Sequence, residues 1–76
     1  MKRLNIVDSS MVHAVGYDRV TKSMEVVFHS GHIYEYQDVP YRVYLGLLHA
    51  ESKGGYMKAE IIDVYMVKRV SPGRRR

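Results

Sequence analysis

His29 and His32 stand three residues apart around a Ser30-Gly31 step, and His13 and His49 are the other imidazoles of the chain. A structural zinc site takes four ligands, usually from two close pairs, and here a second close pair and every cysteine are missing. The histidines are therefore read as surface and packing residues, with no metal bound. Ser9, Ser10 and His13, with Asp8 or Asp18 to orient a base, contain the residue types of a nucleophile relay. Nearness in sequence does not supply the alignment such a relay needs. Serines ahead of an apolar run more readily hydrogen-bond nearby backbone groups. Gly54-Gly55 lacks the Lys-Ser flank of a phosphate loop and reads as a helix terminator. No catalytic residue, cofactor or small-molecule substrate is expected, and the chain reads as a non-enzyme.

The seven tyrosines and the scattered cations are more suggestive. Aromatic rings on an open surface stack unpaired bases at about 1–3 kcal/mol each while neighbouring cations hold the phosphates. Tyr34 and Tyr36 share one face of a strand, but the pairing set out below places that face beneath the helices and makes both rings core. Tyr41, Tyr44 and Tyr56 are left to line an edge. The residues that could contact nucleic acid are then Arg42, Lys53, Lys58, Lys68 and Arg69 for phosphate, with Tyr41 or Tyr56 for stacking.

These side chains need elements to hold them. Met11 to Tyr17 reads as a first strand, and Met24 to Phe28 as a second, with Met24, Val26 and Phe28 on one face. His32 to Tyr36 follows after a three-residue loop, 29–31, in which Gly31 takes the left-handed position without a Cβ penalty. That loop sets Phe28 opposite His32, Val26 opposite Tyr34 and Met24 opposite Tyr36; a one-residue slip would exchange faces. With Tyr17 opposite Met24, the first strand adds Val15, His13 and Met11 to the core face. Val12, Ala14, Glu25, Val27, Ile33, Glu35 and Gln37 are left on the other.

Asp38-Val39-Pro40 ends the third strand and starts a helix, Asp38 as cap and Pro40 in the first turn. Val43, Tyr44, Leu47 and Leu48 form its apolar stripe. Gly46 costs about 1 kcal/mol relative to Ala there, which points to close packing against the sheet. Lys53-Gly54-Gly55 is the expected stop. Tyr56 to Tyr65 reads as a second helix with Met57, Ile61 and Tyr65 at spacing four, followed by an extended end; Val64-Tyr65-Met66-Val67 fits a buried strand as well. The expected fold is α+β, a three-stranded antiparallel β-meander followed by one long and one short helix packed on one face.

At 76 residues without cysteine the chain has room for one core, held by packing or an oligomer interface. The opening residues are broken by Asn5 and Asp8 before any long apolar run, so neither a leader nor a membrane span is expected, and a cytoplasmic setting is. The formal charge is +4, but Arg74, Arg75 and Arg76 supply three of the twelve cations, leaving nine against eight acids. The excess is a tail suited to salt-sensitive, unselective phosphate contacts. The domain plan is a lead over 1–8, a folded unit over 9–70 and a flexible basic tail over 71–76.

Several landmarks fall in one order: Ser9-Ser10, Val15-Gly16-Tyr17-Asp18, Val26 and Phe28 before Gly31, Tyr34-Glu35-Tyr36, Val39-Pro40, Ala50 with Ser52, and Gly55-Tyr56. Together they make residues 9–65 resemble the KTSC domain family, a short module seen alone in bacterial and phage proteins and at the carboxyl end of some lysyl-tRNA synthetases. The resemblance marks Ser10, Tyr17, Phe28, Gly31, Tyr34, Tyr36, Pro40, Ser52 and Gly55 as motif residues with structural roles. It implies RNA binding by association with the synthetases and brings no catalytic activity. The chain departs from the family with Met57-Lys58 in place of Phe-Asn and Ile61-Ile62 in place of Ile-Arg. The missing Arg removes a phosphate contact that an ammonium at Lys58 replaces only in part. The expected function is a small binding module for RNA or another nucleic acid. The alternative is a protein-interaction or homodimerisation module using Val12, Val27 and Ile33 on the open face, or a sheet edge.

Overall fold

The computed structural model describes residues 4–7 and 9–70 of the chain. Five strands, not three, form an antiparallel meander in chain order: β1 Leu4–Ile6, β2 Val12–Asp18, β3 Ser23–Phe28, β4 Ile33–Tyr36 and β5 Val67–Val70. Between β4 and β5 come helix α1, Tyr41–His49, and a short α2, Lys53–Tyr56, which continues into a π-helical turn over Met57–Ile61. The α+β class and the meander hold. Both added strands are edges of three and four residues, too short to show an alternating apolar pattern. Because β1 pairs with β2, the unit begins inside the expected lead. The tail and the Ser71-Pro72-Gly73 stop lie outside the described residues.

The β3–β4 hairpin has the expected register, with Val26 opposite Tyr34 and Met24 opposite Tyr36. The Phe28 amide donates to the His32 carbonyl at 2.9 Å, and Gly31 has φ +98°. Tyr17 does oppose Met24. The register shifts between Val12 and Ala14, however, so His13 is a bulged residue. An extra residue moves everything before it to the other face. Val12 consequently lies fully buried opposite Phe28, not on the open face, and His13 is exposed instead of facing the core. Ser9 anchors this approach, its Oγ accepting from the Met11 and Val12 amides at 3.2 Å each.

Tyr44 and Leu47 of α1 are buried, with Val43 and Leu48 packed beside them. Asp38 does not cap this helix. It sits at φ +54°, and Pro40 is the residue at the N-cap. Lys53-Gly54-Gly55 is a start, not a stop: α1 has already ended at His49, and Ser52 caps α2 by accepting from the Gly55 amide at 3.1 Å. A Ser with its oxygen free to cap outweighs the helix-breaking tendency of two glycines in the first turn. Met57 and Ile61 are fully buried at their predicted spacing, but the helical run ends there; Asp63 at φ +67° turns the chain toward β5. Gly46 approaches Tyr56 of α2, not the sheet.

Tyr36 is 4 % exposed, and burial holds its phenol in the neutral form, as it does those of Tyr17 and Tyr56. A phenol whose titration is raised in the folded state contributes stability that is complete below about pH 10 and is lost as pH climbs through the folded-state value. Urea midpoints should therefore hold steady up to about pH 9 and fall increasingly above about pH 10. Tyr36→Phe should flatten part of that fall; an equally steep fall in the variant would remove burial of Tyr36 as a cause.

Candidate nucleic-acid interface

Two loops meet at the end of the sheet where β2 passes into β3. Asp18 Oδ1 accepts from the Val20 amide at 2.9 Å and the Thr21 amide at 3.3 Å, a side-chain turn that places Arg19 at its tip. The Val39 amide donates to the Lys22 carbonyl at 2.8 Å, and the Tyr17 hydroxyl donates to the Val39 carbonyl. These bonds fasten the start of α1 to the turn. They bring three rings together: Tyr17 stacks on Tyr44 with centroids 5.1 Å apart and planes 17° from parallel. Tyr41, the first residue of α1, lies 5.4 Å from Tyr17 and 6.1 Å from Tyr44.

The cluster is graded from inside to outside. Tyr44 is 7 % exposed, its hydroxyl accepting from Asn5 Nδ2 at 2.9 Å, whereas Tyr41 is 39 % exposed. Over the Tyr41 ring stands the Arg19 guanidinium, its Cζ 4.4 Å from the centroid. Arg42, next to Tyr41 in α1, and Lys22, in the turn bonded to Val39, are both exposed. Burial raises the Tyr17 pKa, with Arg19 opposing the shift and Asp18 adding to it. A ring backed by two others and faced by a guanidinium presents a flat, cationic surface. Such a surface is chemically suited to stacking and to contact with phosphate.

The residues nominated from sequence do not converge. Tyr41 and Arg42 share this corner, and Arg19 joins them unforeseen: nothing in the sequence tells that the 18–21 turn meets the start of the helix. Lys53 donates through Nζ to the Ala50 carbonyl at 2.8 Å. Tyr56 is engaged internally, its hydroxyl donating to the Val43 carbonyl at 3.0 Å. Lys58 is exposed on the π-helical turn. Lys68 and Arg69 point to opposite faces of β5, Lys68 beside Glu35 on the open face and Arg69 beside Tyr34 on the helical one.

The motif residues are spread through the fold. Tyr17 and Tyr36 serve the core, Gly31 the hairpin, Pro40 and Ser52 the two helix starts, and Gly55 the amide that Ser52 receives. Ser10, Phe28 and Tyr34 line a hollow at the opposite end of the sheet. Among the described residues no three His, Cys, Asp or Glu side chains gather as metal ligands. No helix formed by them is long and apolar enough to cross a membrane.

The model of the KTSC domain matches residues 8–65. The chain belongs to the KTSC domain family. An uncharacterized protein of Stutzerimonas stutzeri strain A1501 is 43 % identical over 54 residues, 71 % of this chain and 75 % of that protein. The crystal structure of a KTSC domain protein from Yersinia pestis superposes with a TM-score of 0.91 at 25 % identity, covering 93 % of this chain and all of the other. Both β1 and β5 lie outside the span matched to the KTSC model. The resemblance drawn from the tyrosine pair, the Val39-Pro40 step and Ser52 through Gly55 thus identifies the family.

Proposed function

We propose that this KTSC domain is a non-catalytic module that binds single-stranded RNA at the Tyr41 corner. The observation that carries the reading is the Arg19 guanidinium 4.4 Å over a Tyr41 ring that Tyr17 and Tyr44 hold from behind. Unpaired bases stack on such aromatic and guanidinium planes. Arg42 and Lys22 stand where the flanking phosphates would run. The platform is already ordered by the Tyr17 and Asn5 hydrogen bonds, so binding costs little further ordering.

Fluorescence anisotropy with labelled single-stranded RNA at two salt concentrations tests it, using the full chain and a version ending at Pro72. Both forms should bind. Tyr41→Ala should weaken the shorter form by about 1–3 kcal/mol, roughly tenfold to a hundredfold. Arg42→Ala should lower the salt slope by about 0.7 for each phosphate that the guanidinium no longer neutralises. If only the full chain binds, the tail arginines act as a generic polycation; if Tyr41→Ala binds as tightly as its parent, the corner is not the site.

A further inference from the structure

A concave feature lies at the far end of the sheet, where the β3–β4 loop meets the segment leading into β2. It is a hollow of about 460 Å³, within the range of about 300–1,000 Å³ typical of small-molecule sites. Met11, Phe28 and Tyr34 supply apolar and aromatic wall, and Ser10, His29, Ser30 and His32 supply the polar lining. Phe28 meets Tyr34 edge-on, with centroids 5.7 Å apart and planes at 72°, while His32 lies nearly parallel to Tyr34, at 10° and 6.2 Å. Four ring-bearing side chains, Phe28, His29, His32 and Tyr34, thus border the space.

The polar lining has a defined hydrogen-bonding character. His29 Nε2 lies 2.7 Å from the Ser9 carbonyl, which can only accept, so Nε2 carries a proton and donates it there, and Nδ1 is the ring's second polar atom. Ser30 Oγ and His32 Nδ1 share a hydrogen bond of 3.0 Å, which leaves His32 Nε2 as a further polar atom. Donors and acceptors are both present, and among the described residues no Lys, Arg, Asp or Glu lines the hollow. A charged group entering it would meet no carboxylate, ammonium or guanidinium from those residues, and an aliphatic one would leave the polar atoms unmatched.

We infer that this hollow binds an uncharged, planar heteroaromatic ring of nucleobase size. The same chemistry has two sources, a free nucleoside or an unpaired base of a nucleic-acid strand. The inference does not depend on the Tyr41 corner, which lies at the other end of the sheet.

Amide NMR of the full chain, titrated with adenosine in one arm and a short single-stranded adenine oligonucleotide in the other, tests it. Saturable shifts are expected at Met11, His29, Ser30, His32 and Tyr34. Ser30 is an exposed loop residue, so Ser30→Trp places a bulky ring at the mouth without disturbing the core. This variant should keep the rest of the spectrum and weaken the hollow's binding by about tenfold or more. His32→Ala should weaken it too. Shifts with both probes assign a site for the free ring. Shifts with the oligonucleotide alone assign a base carried on a strand. Absence of saturable shifts at these amides with either probe, or shifts that survive Ser30→Trp undiminished, overturns the inference.

Discussion

Leu47→Ala should leave the protein close to its unfolding transition at room temperature. Leu47 is fully buried in the core cluster that also holds Met24, Val26, Met57 and Ile61. Removing such a side chain costs about 2–5 kcal/mol, from lost burial and from the cavity left behind. A domain of 76 residues has about 4–11 kcal/mol of total stability by ordinary proportion. The loss therefore runs from about a fifth of the stability to all of it. No disulfide constrains the unfolded chain, since there is no cysteine to form one. The cost falls wholly on packing, and the urea midpoint reports it directly. Val20→Ala is the matched control: Val20 is 92 % exposed, and the change should move stability by less than about 0.5 kcal/mol. Midpoints for the two variants within error of each other would mean that α1 does not pack on the sheet in solution.

Leu47 is legible in the sequence because its signal is local. The stripe of Val43, Tyr44, Leu47 and Leu48 repeats at helical spacing, and the β3–β4 register follows from one turn whose Gly31 has to take a positive φ. Both features are written within a few residues. Sequence and structure part where a local rule meets a decision made elsewhere. The bulge at His13 depends on how Ser9 ties the chain ahead of β2, and one extra residue is enough to exchange Val12 with His13. The edges β1 and β5 are defined by the strands they join, and a short apolar run such as Val64 to Val67 does not declare its partner. The glycines at 54 and 55 read locally as a terminator, and only the Ser52 cap makes them the opening of a helical turn.

The candidate site divides in the same way. Tyr41 and Arg42 can be nominated by residue type, but Arg19 cannot, because its value comes from a loop brought over the Tyr41 ring. Lys53, Tyr56, Lys58, Lys68 and Arg69 sit on α2, the π-helical turn and β5, away from the turn that carries Arg19. Position in three dimensions, not composition, decides whether cations and aromatics form one surface.

Gly46→Ala separates these local and tertiary rules most sharply. Local propensity alone says that the substitution stabilises α1 by about 1 kcal/mol, because Ala is the better helix former. The tertiary structure says the opposite. A Cβ at position 46 would stand 2.8 Å from Tyr56 Cζ, closer than real Cβ contacts come, and would meet the phenolic oxygen more tightly still. The rigid phenol cannot fold aside as a Lys or Met side chain could. It must swing out, losing its hydrogen bond to the Val43 carbonyl and its packing against the core, or α1 must lift from α2. Overpacking of this kind costs about 1–3 kcal/mol, more than the propensity gained. The net effect should therefore be destabilising, and a double-mutant cycle identifies its origin. In a Tyr56→Ala background the obstruction is gone, so Gly46→Ala should there reverse sign and stabilise by up to about 1 kcal/mol. Destabilisation in both backgrounds would place its cause outside the Tyr56 contact, and stabilisation in both would show that α1 and α2 do not approach so closely. The sign reversal also bears on function: a Tyr56 wedged between two helices is unsuited to stacking a base, and loss of RNA affinity in Tyr56→Ala would report damaged packing, whereas loss in Tyr41→Ala reports the exposed platform itself.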